Sequence, residues 1–139
     1  MNIVIIDDDP YKRERIKNDF SFLREKTFQE FESMHSGLYH LAKNAGKVDL
    51  LILDWIFPSY DGDVPERGMG LEVLIQLSRV HLPIPTIVCS SDSVCIPDEY
   101  GEFVIGTVPF DFSTSMRETF QTIFQSYFIE RKNEHENIH

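Results

Sequence analysis

The sequence predicts an α/β domain built on a parallel sheet, and three observations carry that prediction. Five short apolar runs are each bounded by polar or turn residues, most are separated by longer segments of helical periodicity, and two of them are apolar enough to be covered on both faces. At 139 residues the chain suits one domain with a sizeable core and is too short for a second. Residues 1–131 are read as that domain and 132–139 as a polar tail expected to fray.

The first run, Asn2–Ile6, is nearly all β-branched, as a central strand requires. Residues 10–24 follow as a first helix with Ile16, Phe20 and Leu23 at i, i+4 and i+7, entered through Asp9 as a cap and Pro10 in the first turn. Thr27–Phe31 alternates as a weaker strand, and residues 36–45 place Leu38, Leu41 and Ala42 on one helical face, closed by Gly46. Residues 49–54 form the second strongly apolar strand, and its last residue, Asp54, is a carboxylate.

Residues 58–70 are rich in Ser, Asp, Pro and Gly and make a long loop for an α/β connection, where about two to six residues is common. A third helix spans 69–80, with Leu71, Leu74 and Ile75 at i, i+3 and i+4, and Gly68 and Gly70 mark its entry rather than a nucleotide fingerprint. Strands at 85–89 and 103–107 are joined by a segment holding Pro97 and Gly101, where any helix must be short or absent. The last helix is predicted over 113–131, with Met116, Phe120, Ile123, Phe124 and Tyr127 inward.

The composition, 42% hydrophobic and 26% charged, is that of a packed soluble domain. No basic leader with an apolar core precedes the first strand and no run approaches the ~20 apolar residues of a membrane span, so the expectation is a cytoplasmic protein without a membrane partner. A net charge of −10 opposes direct nucleic-acid binding, which needs clustered Lys and Arg. Cys89 and Cys95 follow no metal-ligand spacing and are read as reduced and structural, while His35, His40 and His81 sit on separate segments and form neither triad nor zinc site.

Chemistry concentrates in three aspartates. Open parallel sheets bind ligands outside the carboxyl ends of their strands, where the winding reverses, and the two most apolar strands are the natural neighbours at that point. One ends in Asp7 and Asp8, the other in Asp54, so the topology brings the three carboxylates to one edge. Such a cluster repels itself and is relieved by a hard divalent cation; Mg²⁺ suits it, because that ion takes one or two carboxylates and keeps room for water and phosphate oxygens. A carboxylate beside a bound cation can act as a nucleophile towards a phosphoryl group.

These residues resemble the receiver domain of two-component response regulators. Ile3 to Ile6 followed by Asp7, Asp8, Asp9 and Pro10 is similar to that family's first strand and acid pair, and Leu51, Ile52, Leu53 and Asp54 to its phosphorylation strand. Gly70, Leu71 and Glu72 resemble the start of its third helix, Pro85 to Ser90 its fourth strand, and Pro109 with Phe110 the dipeptide after its fifth. The resemblance covers nearly the whole chain. It implies a (βα)₅ flavodoxin-like receiver fold with strand order 2-1-3-4-5, Mg²⁺ or Mn²⁺ held by Asp7, Asp8 and Asp54, phosphorylation of Asp54, and Ser90 as the hydroxyl that senses the phosphoryl group. The phosphoryl donor would be a histidine kinase, a phosphotransfer protein or a small phosphodonor, and output would pass through a downstream protein partner, with a homodimer as one option.

The sequence departs from the family's pattern at three places. The lysine expected before the Pro-Phe pair is Val108, with no Lys or Arg between Arg79 and Arg117; Ile105 stands at the aromatic switch position of the fifth strand; and the third connection is enlarged over 59–69 while the fourth helix is shortened. Arg67, carried by that loop, is the first candidate to replace the lysine, ahead of Lys12 and Arg13, since most residues of a first helical turn face solvent. The preferred function is a single-domain atypical response regulator, not an enzyme beyond self-phosphorylation and slow autodephosphorylation. The alternative is a pseudo-receiver that signals without phosphorylation of Asp54. A hydrolase on a similar sheet is disfavoured, because Ile56 stands where a second Asp would serve as acid/base.

Overall fold

A computed structural model describes residues 1–130. Strands β1 (Asn2–Ile6), β2 (Thr27–Phe31), β3 (Leu50–Leu53), β6 (Thr86–Ser90) and β7 (Val104–Pro109) form one sheet in the order β2-β1-β3-β6-β7, every pairing parallel. Counting only those five strands, the order is 2-1-3-4-5, as the resemblance implies. Helices α1 (Pro10–Asp19) and α4 (Arg117–Phe124) cover one face, α2 (Met34–Lys43) and α3 (Met69–Arg79) the other. No helix of the described residues is long and apolar enough to cross a membrane.

Alternation along the strands divides the core between the two faces. Ile3, Ile5, Leu50, Ile52, Ile87 and Val108 pack with Ile16, Phe20 and Phe120, whereas Val4, Ile6, Leu51 and Leu53 pack with Leu41, Val73, Leu74 and Leu77. Both β1 and β3 are therefore covered twice, which is why their sequences read as unbroken apolar runs.

Several boundaries differ from the sequence prediction, each for a local reason. Helix α1 stops at Asp19, not at 24: Phe20 N donates to Lys17 O and Ser21 N to Asn18 O, each at 3.2 Å, so the chain tightens into i→i−3 turns and leaves the helix. The last helix begins at Arg117, not 113: the Asp111 carboxylate accepts from the Ser113 backbone at 3.0 Å and the Asp19 carboxylate from Met116 N at 2.9 Å. Side chains thus take hydrogen bonds that a longer helix would have made. It continues through a π-helical stretch, Gln125–Glu130, and its predicted end at 131, like the tail at 132–139, lies outside the described residues.

The long connection is not structureless, because β4 (Ile56–Phe57) and β5 (Glu66–Arg67) pair antiparallel across its base. Between β6 and β7 the described chain makes only a 3-10 turn, Asp98–Tyr100, as Pro97 and Gly101 predict. Gly68 enters α3 at φ 81, the left-handed region that glycine takes without steric cost.

Candidate metal and phosphoryl site

The register of the central strands builds the site. Ile6 pairs with Leu53, so the next residues, Asp7 and Asp54, leave the sheet side by side at its carboxyl edge. Their backbones are tied there: Asp7 N donates to Phe31 O and Asp54 N to Ile6 O, each at 3.0 Å. Carboxylate oxygens of Asp7, Asp8 and Asp54 all lie within 4.8 Å of one another. The structure thus brings together the three residues read as metal ligands.

Burial divides their roles. Asp7 is almost fully enclosed, Asp8 partly exposed, and Asp54 keeps 12% of its side chain open to solvent. Burial pushes the Asp7 carboxyl up to about 7; Lys12 opposes the rise and the neighbouring Asp54 charge adds to it. Asp8 is also raised, by burial and then by Asp54 and Asp9. The Asp7 carboxylate accepts from Asp9 N at 2.9 Å through Oδ1, and Asp54 Oδ1 accepts from Trp55 N at 2.7 Å.

A lysine from the first helix occupies the pocket. The Lys12 ammonium donates to the Cys89 carbonyl at 2.7 Å and lies 2.8 Å from Asp7 Oδ2 and 3.0 Å from Asp54 Oδ1. Only the carbonyl contact has hydrogen-bond direction. Asp7 Oδ2 remains, among the described residues, a buried side-chain oxygen without a hydrogen-bond partner despite its nearby counter-charge. Burial works to lower the Lys12 pKa, but Asp7 and Asp54 outweigh it and hold the ammonium above its ordinary value. The Phe110 ring stands 5.4 Å from the ammonium.

Local structure explains the aim of Lys12. Asp9 caps α1, accepting from Tyr11 N at 2.9 Å and Lys12 N at 3.4 Å, and Pro10 opens the first turn. Helical side chains lean back towards the helix N-terminus, which here faces the acidic edge. The expectation that this turn faces solvent is corrected for Lys12, which is buried. Arg13 donates to the Asp7 carbonyl at 2.7 Å and pairs with Glu30, so it braces the backbone rather than the carboxylates.

Arg67 does not fold back: it stands exposed on β5, opposite Ile56, and among the described residues the ion pairs to Asp54 come from Lys12. Holding Arg67 in that hairpin fixes its backbone away from the role expected of it. A signal for Lys12 existed in the sequence, namely its place five residues after Asp7 in a turn capped by Asp9 and Pro10.

Ser90 ends β6, buried, its hydroxyl accepting from Asp92 N at 3.2 Å. Val108 is buried beside Cys89 in the α1-side core, which closes that position to a charge. Burial pushes the Cys89 thiol up to about 12, fitting a structural role, whereas Cys95 is exposed and has no part in the core. Trp55 lies against α3, where a Cβ on Gly70 would come within 2.6 Å of its ring and 2.5 Å of the Asp54 carbonyl. Gly70→Ala is therefore expected to cost about 1–3 kcal/mol by overpacking. Urea unfolding followed by Trp55 emission checks it, and an unchanged midpoint would show that α3 shifts freely.

The arrangement can hold a divalent cation: its donors are hard oxygens, one of them buried without a hydrogen bond, and with all three carboxylates ionised against Lys12 two negative charges remain.

No family model and no curated protein matches the sequence. Solved structures do. A response regulator receiver domain protein from Clostridium thermocellum is 15% identical over 94% of this chain and 96% of its own, with a TM-score of 0.64. The response regulator TrrA from Thermotoga maritima, in complex with Mg²⁺ and BeF, is 21% identical over 88% and 97%, at 0.62. The Mn²⁺-bound form of the response regulator Rcp1 is 15% identical over 93% and 94%, at 0.63. This chain has the receiver-type fold, the five-stranded parallel architecture of those response regulators.

Proposed function

We propose that this chain acts as a receiver in a two-component phosphorelay, in which Asp54 accepts a phosphoryl group next to a divalent cation held by Asp7, Asp8 and Asp54. The carrying observation is the convergence of those carboxylates at the edge where β1 and β3 end, with Asp7 Oδ2 buried and lacking a hydrogen bond. Mg²⁺ or Mn²⁺ bound there would neutralise charge on the transferring oxygens. Two structural neighbours bind such ions, TrrA with Mg²⁺ and Rcp1 with Mn²⁺.

Asp54 is the member suited to attack. It follows directly on β3, keeps part of its side chain open to solvent, and has one oxygen fixed by the backbone donor Trp55 N. An oxygen of Asp54 bonds to phosphorus as the donor's leaving group departs, giving an aspartyl-phosphate. Ser90, at the end of the adjacent β6, is read as the hydroxyl that senses the new group. The donor is a histidine kinase, a phosphotransfer protein or a small phosphodonor, and output passes through protein contacts, not through turnover of a substrate.

Incubation with acetyl phosphate and Mg²⁺ is expected to add the mass of one phosphoryl group, and Asp54→Asn to abolish the gain. Labelling that survives Asp54→Asn, or no labelling of the wild type, refutes the assignment. One observation favours a pseudo-receiver instead: β7 supplies no cation, Val108 being buried in the core. That reading predicts partner binding indifferent to Asp54→Asn.

A further inference from the structure

The ammonium of Lys12 touches three groups that belong to different strands: the carboxylates after β1 and β3 and the carbonyl of Cys89 in β6. It is the buried cation among the described residues of the pocket, and β7 supplies no charge there, its Val108 being packed in the core. Resting on the receiver reading above, we propose that Lys12 is the working cation of this site, delivered from the first helix. It balances Asp7 and Asp54 when no metal is bound, competes with a divalent cation for those carboxylates, and pairs with the oxyanion once Asp54 carries a phosphoryl group.

Geometry sets up the competition. The ammonium already lies 2.8 Å from Asp7 Oδ2 and 3.0 Å from Asp54 Oδ1, on two of the carboxylates that a metal at this edge would use. Two cations cannot both be close to the same pair of oxygens without repulsion, so metal entry draws Lys12 off at least one of them. The Cys89 carbonyl, at 2.7 Å, is a partner of the ammonium that belongs to neither carboxylate, so a metal on those oxygens leaves it available. A charge-assisted partner therefore stays within reach of any new oxygens built on Asp54. The flexible stem of lysine allows that exchange without moving the helix.

The role predicts opposite signs for two ligands. In Lys12→Met, Mg²⁺ should bind about tenfold more tightly, since a competing positive charge is gone. At saturating Mg²⁺, the same variant should bind beryllofluoride at least about tenfold more weakly, having lost a fixed charge against the oxyanion analogue. Lys12→Arg should bring Mg²⁺ affinity back towards wild type, and Lys12→Gln separates charge from the packing of one side chain. Calorimetric titration of both ligands reads the result, with Trp55 emission as a second signal.

A lysine that served only to hold the fold would weaken both ligands together. Unchanged or weaker Mg²⁺ binding in both neutral variants overturns the proposal, as does undiminished beryllofluoride binding. Should the wild type ignore beryllofluoride while Lys12→Met gains Mg²⁺ affinity, the phosphoacceptor reading fails and the counter-cation role stands.

Discussion

Asp7→Asn should stabilise the metal-free domain by about 1–3 kcal/mol near pH 8, while weakening Mg²⁺ binding by about 100-fold or more. The carboxyl of Asp7 has an ordinary value of 3.8 and stands at about 7 in the folded protein, chiefly because it is buried. A folded-state pKa above the unfolded one means the native state holds the proton more tightly. The resulting stability is complete below pH ~4 and is lost as pH rises through about 7. Above that, the wild type carries a buried negative charge beside Asp54.

Asparagine removes this titration but keeps the acceptor for Asp9 N, and Lys12 retains Asp54 and the Cys89 carbonyl. The gain over wild type should therefore grow between pH ~4 and ~8 and vanish when saturating Mg²⁺ stabilises the wild type by linkage. Urea unfolding across that range, with and without Mg²⁺, measures it. A variant less stable than wild type at pH 8 without metal would mean that the Lys12 pair outweighs the burial of Asp7.

Phe20→Ala should cost about 3–5 kcal/mol, a large share of a stability that for most domains is about 5–15 kcal/mol. Phe20 has no exposed surface, and its ring centroid lies 4.6 Å from Phe120, 5.4 Å from Phe22 and 6.2 Å from Phe28. Those rings belong to α4, the turn after α1 and β2, so a void there loosens the packing of three elements on one side chain. With a slope of about 2 kcal/mol per molar urea, the midpoint should fall by about 2 M. A loss under about 1 kcal/mol would show that the aromatic cluster collapses onto the void.

The α1 side also bears on the site. Asp19, which precedes Phe20, caps Met116 N at 2.9 Å, and Arg15 donates to the carbonyls of Phe112 and Thr114 at 2.6 and 2.8 Å. These contacts tie the segment after β7 to the same helix that delivers Lys12. Phe110, packed on that segment, lies beside the ammonium and against the largely exposed Phe112. Asp54, Lys12, Phe110 and the exposed Phe112 thus follow one another in contact.

Periodicity and composition were enough to predict the parallel sheet and the gathering of Asp7, Asp8 and Asp54, because unbroken apolar runs demand cover on both faces and carboxyl ends of neighbouring strands must share an edge, whereas the strand order followed from the family resemblance. The erosion of structure between β6 and β7 was equally legible, since Pro97 and Gly101 act locally. What filled the cation's place was not. A basic residue's reach depends on the orientation of its helix, on the Asp9 cap and on the backbone carbonyl of Cys89, a group that no side-chain pattern reveals. Arg67 lay nearer to Asp54 along the chain, yet the β4–β5 hairpin held it in solvent. Lys12 was hidden by the general rule that first-turn residues face water, and only the packed structure, with the buried Asp7 and the partly buried Asp54 requiring a counter-charge, decided that this lysine turns inward.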